Sequence, residues 1–112
     1  MAWTGGAYLF SGRPDPRWPV SPRVADSLLT LWEQMSPRPD AQRPAPALGY
    51  RGCFLHSDDG REWLAFRGTV WLTSGESLEA RADEGRMFER LIARSAPAGT
   101  LPPGLIDPGE SG

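Results

Sequence analysis

LGYRGCFLHSDDGREWLAFRGTVWL, residues 48–72, is the one long segment with strand chemistry: aromatic and β-branched side chains, short polar breaks and no proline. Asp59-Gly60, within Ser57-Asp58-Asp59-Gly60-Arg61, is a strong hairpin signal because both residues tolerate positive φ. Arg67-Gly68 interrupts the second apolar run and reads as another tight turn, with a glycine bulge inside one long strand as the alternative. The segment therefore predicts a three-stranded antiparallel meander.

Alternation places Tyr50, Gly52, Phe54 and His56 on one face and Arg51, Cys53 and Leu55 on the other. In the next strand Leu64 and Phe66 oppose Trp63 and Ala65. A two-residue loop at Asp59-Gly60 would pair Leu55 with Leu64. A three-residue loop with a left-handed Gly60 would pair Leu55 with Trp63. One residue of slip exchanges the faces, so the segment leaves the buried face open.

On the N-terminal side, Ala7-Tyr8-Leu9-Phe10 reads as a short first strand. Residues 12–22 then carry Pro14, Pro16, Pro19 and Pro22, which make a stiff irregular loop with Trp18 as the anchor that lays it on the core. Ser21 is a good N-cap and Pro22 suits the first helical position. Val24, Leu28, Leu31, Trp32 and Met35 recur at helical spacing, and Ser36-Pro37 ends this first helix. Residues 36–47 hold four more prolines and read as a surface connector with polyproline II character.

Beyond the meander, residues 73–77 form a turn, and a second helix is expected over roughly 83–95 with Asp83 as its cap. Its apolar face comprises Met87, Phe88, Leu91 and Ile92, with Glu89 largely outside it. An earlier start at Ser77 is the alternative, because Leu78-Glu79-Ala80-Arg81-Ala82 has good helix propensity. Residues 97–112 are a proline- and glycine-rich tail with only Leu101, Leu105 and Ile106 to bury, expected to be loosely docked, or disordered beyond about Asp107. The whole predicts one α+β domain over residues 1–96 in β-α-β-β-β-α order. Its sheet is mainly antiparallel and four-stranded, with both helices on one face.

Composition narrows the chemistry. No run approaches the roughly 20 apolar residues of a membrane span, and Met1-Ala2-Trp3-Thr4 lacks the basic and apolar pattern of a secretory signal. One cysteine excludes an internal disulfide and a cysteine zinc cluster, as in a reducing cytoplasm. A net charge of −2 argues against nucleic acid as a general partner. All 12 basic residues are arginine, a bias of GC-rich coding, so Schiff-base and P-loop lysine chemistry is absent.

Cys53, His56, Asp58 and Asp59 are close in sequence, yet Cys53 and His56 fall on opposite strand faces and the aspartates suit the turn. The expectation is no metal and no cofactor. Cys53 reads as a small buried thiol, and His56 lacks a carboxylate that can be placed beside it. No GxGxxG, GxSxG or HExxH pattern occurs.

Two functions fit these residues. The first is a non-catalytic binding or accessory module that engages a protein partner through arginine and tryptophan, the residues enriched at binding hot spots. Five tryptophans are many for 112 residues, which favours this reading. The second is a domain, or an enzyme, that binds a small anionic ligand. Its site would comprise Arg13, Arg17, Trp18 and Arg23 at the start of the first helix, where free N–H groups and the helix dipole favour an anion.

Overall fold

A computed structural model of the chain describes residues 1–9, 12–45, 47–102 and 104–105. The strands are β1 (Trp3–Ala7), β2 (Arg17–Val20), β3 (Cys53–Ser57), β4 (Glu62–Phe66), β5 (Thr69–Ser74) and β6 (Ser77–Ala82). Helix α1 (Pro22–Gln34) follows β2, and α2 (Met87–Arg94) follows a 3-10 turn at Glu84–Arg86. The strands form one antiparallel sheet in the order β2-β1-β3-β4-β5-β6. The class is α+β, as the sequence indicates, but the described sheet has six strands and not four.

The meander forms as read, and the open choices close. Leu55 pairs with Trp63, and Gly60 has φ 94°, so the three-residue loop with a left-handed glycine is the one adopted. Arg67 and Gly68, at φ 50° and 91°, form a tight two-residue turn between β4 and β5. Cys53, Leu55, Trp63, Ala65 and Val70 consequently face the core shared with α1 and α2. Phe54, Leu64, Phe66 and Trp71 face the reverse side.

Helix α1 is built from local signals. The Ser21 hydroxyl accepts the Val24 N–H at 3.2 Å, Pro22 opens the first turn, and Ala25, Leu28 and Trp32 are buried. Helix α2 is held at its start by Asp83, whose carboxylate accepts the N–H groups of Phe88 at 2.9 Å and Glu89 at 3.2 Å. Its buried stripe differs from the expected one: Glu89 is 0% exposed and Met87 is 56% exposed. The reason is polar. Glu89 turns inward because Arg86, Tyr50 and the Arg67 N–H converge on its carboxylate.

Three other segments also differ. The first strand lies at 3–7 and leaves out Tyr8 and Leu9 of the expected 7–10, while Phe10 lies outside the described residues; it contains Gly5 and Gly6, which have low strand propensity. Neighbouring rings occupy the space above them. A Cβ on Gly6 would lie 2.1 Å from the Phe54 ring, and one on Gly5 would lie 2.8 Å from Trp18 Nε1. The stiff loop contains β2, where Pro19 is tolerated because the strand is at the sheet edge. Leu78 to Ala82 are extended rather than helical, because pairing with β5 from Ser74↔Ser77 to Thr69↔Ala82 outweighs propensity differences of a few tenths of a kcal/mol, roughly, per residue.

The connector, read as a surface bridge with little to bury, does more. Arg38 N–H donates to Ala80 O and Ala82 N–H to Ser36 O, both at 2.8 Å, and Ala41 packs on the reverse-face apolar cluster. Trp71 Nε1 donates to Ala41 O at 3.2 Å. In the tail, Leu101 and Leu105 pack against the helix-side core, while Ile106 and the expected disorder beyond Asp107 lie outside the described residues.

Candidate functional site

Sheet alternation parts the residues expected to hold an anion. Trp18 pairs with Gly5 on the helix side, where it is 3% exposed and donates Nε1–H to Ser95 Oγ at 2.9 Å. It anchors the segment on the core, as read, and offers no stacking wall. Arg17, one residue earlier, emerges on the reverse face with Cζ 5.2 Å from the Phe54 ring centre. Arg13 and Arg23 are exposed. At the helix start Ser21 caps one N–H and Pro22 removes another.

Each face of the sheet instead holds a carboxylate enclosed by donors. On the helix side, Arg86 grips Glu89 through Nε and a terminal nitrogen, both at 3.0 Å, Arg67 N–H donates at 3.2 Å, and the Tyr50 hydroxyl donates to Oε2. Cys53 Sγ lies 3.4 Å from that hydroxyl, and burial, with Glu89 nearby, pushes the thiol up to about 12. Cys53 is therefore a protonated core thiol at neutral pH. Burial and the contact with Cys53 and Glu89 likewise push Tyr50 above the usual tyrosine range.

On the reverse face, Glu62 supplies the partner that sequence reasoning could not place for His56. His56 Nε2 lies 2.8 Å from Glu62 Oε2, the Tyr8 hydroxyl donates to the same oxygen at 2.5 Å, and Arg43 reaches Oε1 at 2.9 Å. Burial alone would raise this carboxyl, but the donors from His56, Tyr8 and Arg43 outweigh it and hold it at about 2. The His56 ring also stacks on Phe54, with centres 4.4 Å apart. His56 and Glu62 are opposite one another across β3 and β4, a contact that becomes visible once the three-residue loop is chosen.

A groove of about 440 Å³ lies between α1 and the strands β4 and β5. Asp26, Leu29, Thr30, Trp32 and Glu33 line its helix side, and Arg61, Trp63 and Leu72 its sheet side. Arg61 is engaged by several partners: Nε donates to both oxygens of Asp59, at 3.1 and 3.0 Å, and Cζ lies 4.9 Å from the Trp63 ring centre and 6.0 Å from that of Trp3. Trp63 is 1% exposed, and its Nε1–H meets no acceptor among the described residues. Such a buried donor costs about 1–3 kcal/mol if left unpaired. Asp26 and Glu33 are exposed, and neither has an ion-pair partner among the described residues. The spacing held this signal: Arg61 and Trp63 share a strand face at i, i+2, and Asp26 and Glu33 share a helix face at i, i+7.

Among the described residues no three His, Cys, Asp or Glu side chains come together as a metal site would, and no helix is long and apolar enough to cross a membrane. No protein-family model, no curated protein and no solved structure matches this chain.

Proposed function

We propose that this chain is a non-catalytic binding module that holds a protein partner in the groove between α1 and the β4–β5 strands. The observation carrying this reading is the lining of the groove: the half-buried Leu29, Leu72 and Arg61, with Arg61 stacked on the Trp63 indole. Arginine is enriched at binding hot spots, and apolar side chains left partly exposed gain by burial against a partner. The groove is of a size that takes side chains from a partner. Support for a non-catalytic role comes from the reactive groups. Cys53 stays protonated, and both enclosed carboxylates have their oxygens occupied by donors from their own chain.

The test is partner capture from the native source with the wild-type chain, a groove-blocking Thr30→Arg variant and a Leu48→Arg control. Thr30 and Leu48 are both exposed, so neither change should disturb the core. Loss of a stoichiometric partner in Thr30→Arg alone supports the reading. A partner retained equally by all three proteins overturns it.

A second reading, capture of a small anion, rests on Arg17. Among the described residues it has no ion-pair partner, and like Arg43 it acts electrostatically on the Tyr8 hydroxyl. Phosphate titration followed by backbone NMR should then shift signals near Arg17 and Arg43, and Arg17→Ala should abolish those shifts. A spectrum unchanged by phosphate removes this reading.

A further inference from the structure

We infer that anion capture on the reverse face is gated by a proton: a small oxyanion of the sulfate or phosphate class binds at Arg17 and His56, and more tightly once His56 is charged. This rests on the second reading above and adds its regulation. Arg17 and His56 meet on one ring. Arg17 Cζ lies 5.2 Å and the His56 ring 4.4 Å from the centre of Phe54, which is itself 0% exposed. Gly6 stands between Arg17 and Phe54 in the sheet, and its missing side chain lets the Phe54 ring lie over it toward Arg17.

The charged and titratable groups around the pair come from four segments. Glu62 on β4 accepts from His56, from Tyr8 just beyond β1 and from Arg43 in the connector. The Glu62 charge is answered by Arg43 at 2.9 Å, and Asp15, two residues before Arg17, accepts the Leu9 N–H at 2.8 Å. Arg17 has no ion-pair partner among the described residues. Tyr8 stays protonated, because burial and its bond to Glu62 push it above the usual tyrosine range.

His56 is the group left to change charge. The Glu62 carboxyl, held at about 2, is ionised at neutral pH and only accepts, so His56 Nε2 is the donor. A second ring proton therefore goes to Nδ1, which has no partner among the described residues. That proton adds a charge and an N–H donor on the ring that Arg17 shares, and histidine is the side chain that makes this change between about pH 5 and 8. The oxygens of one tetrahedral oxyanion can accept from a guanidinium and an imidazolium together.

Sulfate is the probe, because its own charge is constant over that range. The ¹⁵N-labelled full chain is titrated with it at about pH 5 and about pH 8, against chloride at equal ionic strength. Signals of Arg17 and His56 should shift, with affinity about three- to tenfold higher at the lower pH, as for one added charge-assisted contact at a part-exposed site. By reciprocity, sulfate should also move the ring titration of wild-type His56 to higher pH. His56→Gln, whose amide can still donate to Glu62, should bind sulfate equally at both pH values. Equal wild-type affinity at the two pH values, or a His56 titration unmoved by sulfate, overturns the gate and leaves the anion reading standing. Binding that survives Arg17→Ala overturns the site. No shift at either pH removes the gate and the anion reading together.

Discussion

The two faces of the sheet are both packed, but by different means. The helix side is covered by α1 and α2 over a continuous apolar core, and its one wholly buried carboxylate, Glu89, is held by a bidentate arginine, a tyrosine and a backbone N–H. The reverse side has no helix among the described residues. Its smaller aromatic cluster is crossed by a proline-rich chain that contributes Ala41, and its carboxylate, Glu62, retains some exposure. The contrast teaches that a regular element is not needed to cover an aromatic face. A chain stiffened by proline loses little entropy when it docks, so a few backbone hydrogen bonds suffice to hold it.

The sharpest way to break the comparison is Glu89→Ala. It leaves Arg86, the Tyr50 hydroxyl and the Arg67 N–H facing a cavity, and breaking a buried pair in this way costs about 3–5 kcal/mol. Urea unfolding should show that loss, whereas Glu62→Ala should cost clearly less. Equal losses would show that partial exposure does not separate the two sites.

Next comes Gly6→Ala, which would force a methyl into the ring of Phe54. Overpacking of this kind costs about 1–3 kcal/mol, read as a lower melting temperature. Unchanged stability would mean that Phe54 can leave its place on the reverse face.

The acid limb of stability sharpens the comparison further. The folded Glu62 carboxyl titrates near 2 and an unperturbed one near 4.5, so between those values the unfolded chain binds more protons. The contribution of Glu62 is therefore complete above pH ~4.5 and lost as pH falls toward ~2, amounting to about 1–3 kcal/mol after allowance for its partial exposure. Glu62→Gln should flatten stability across that window and leave its slope above pH ~5 unchanged. A wild-type acid limb retained in the variant would assign the transition to other carboxyls.

The smallest effect is that of Trp71→Phe, which removes the indole bond to Ala41 O and with it about 1 kcal/mol. Hydrogen exchange should quicken at Arg38 and Ala41 more than in α1. Uniform acceleration would mean that the connector and the helices loosen as one unit.

What was legible in the sequence was whatever depends on neighbours along the chain. Ser21-Pro22 sets the start of α1 through a cap and a fixed φ, and the turns at Gly60 and Arg67-Gly68 follow from backbone freedom, whereas α2 starts at Met87 and not at the expected 83 because Gly85 and Arg86 take positive φ. Trp18 was legible as an anchor because a large aromatic among prolines needs a core to rest on. That β2 sends Arg17 and Trp18 to opposite faces was not legible, because residues assigned to a loop have no alternation.

What only the tertiary structure decided was set by distant partners. Gly5 and Gly6 are poor strand formers until Trp18 and Phe54 fill the space above them, and Leu78 to Ala82 are good helix formers until β5 lies alongside. Glu89 reads as a surface residue until Arg86 and Tyr50 enclose it, and the groove exists only because α1 crosses β4 and β5. The physical reason is the same in each case. Local preferences are worth tenths of a kcal/mol per residue, roughly, whereas burying a ring or satisfying a buried charge is worth about one to several, so the long-range term prevails.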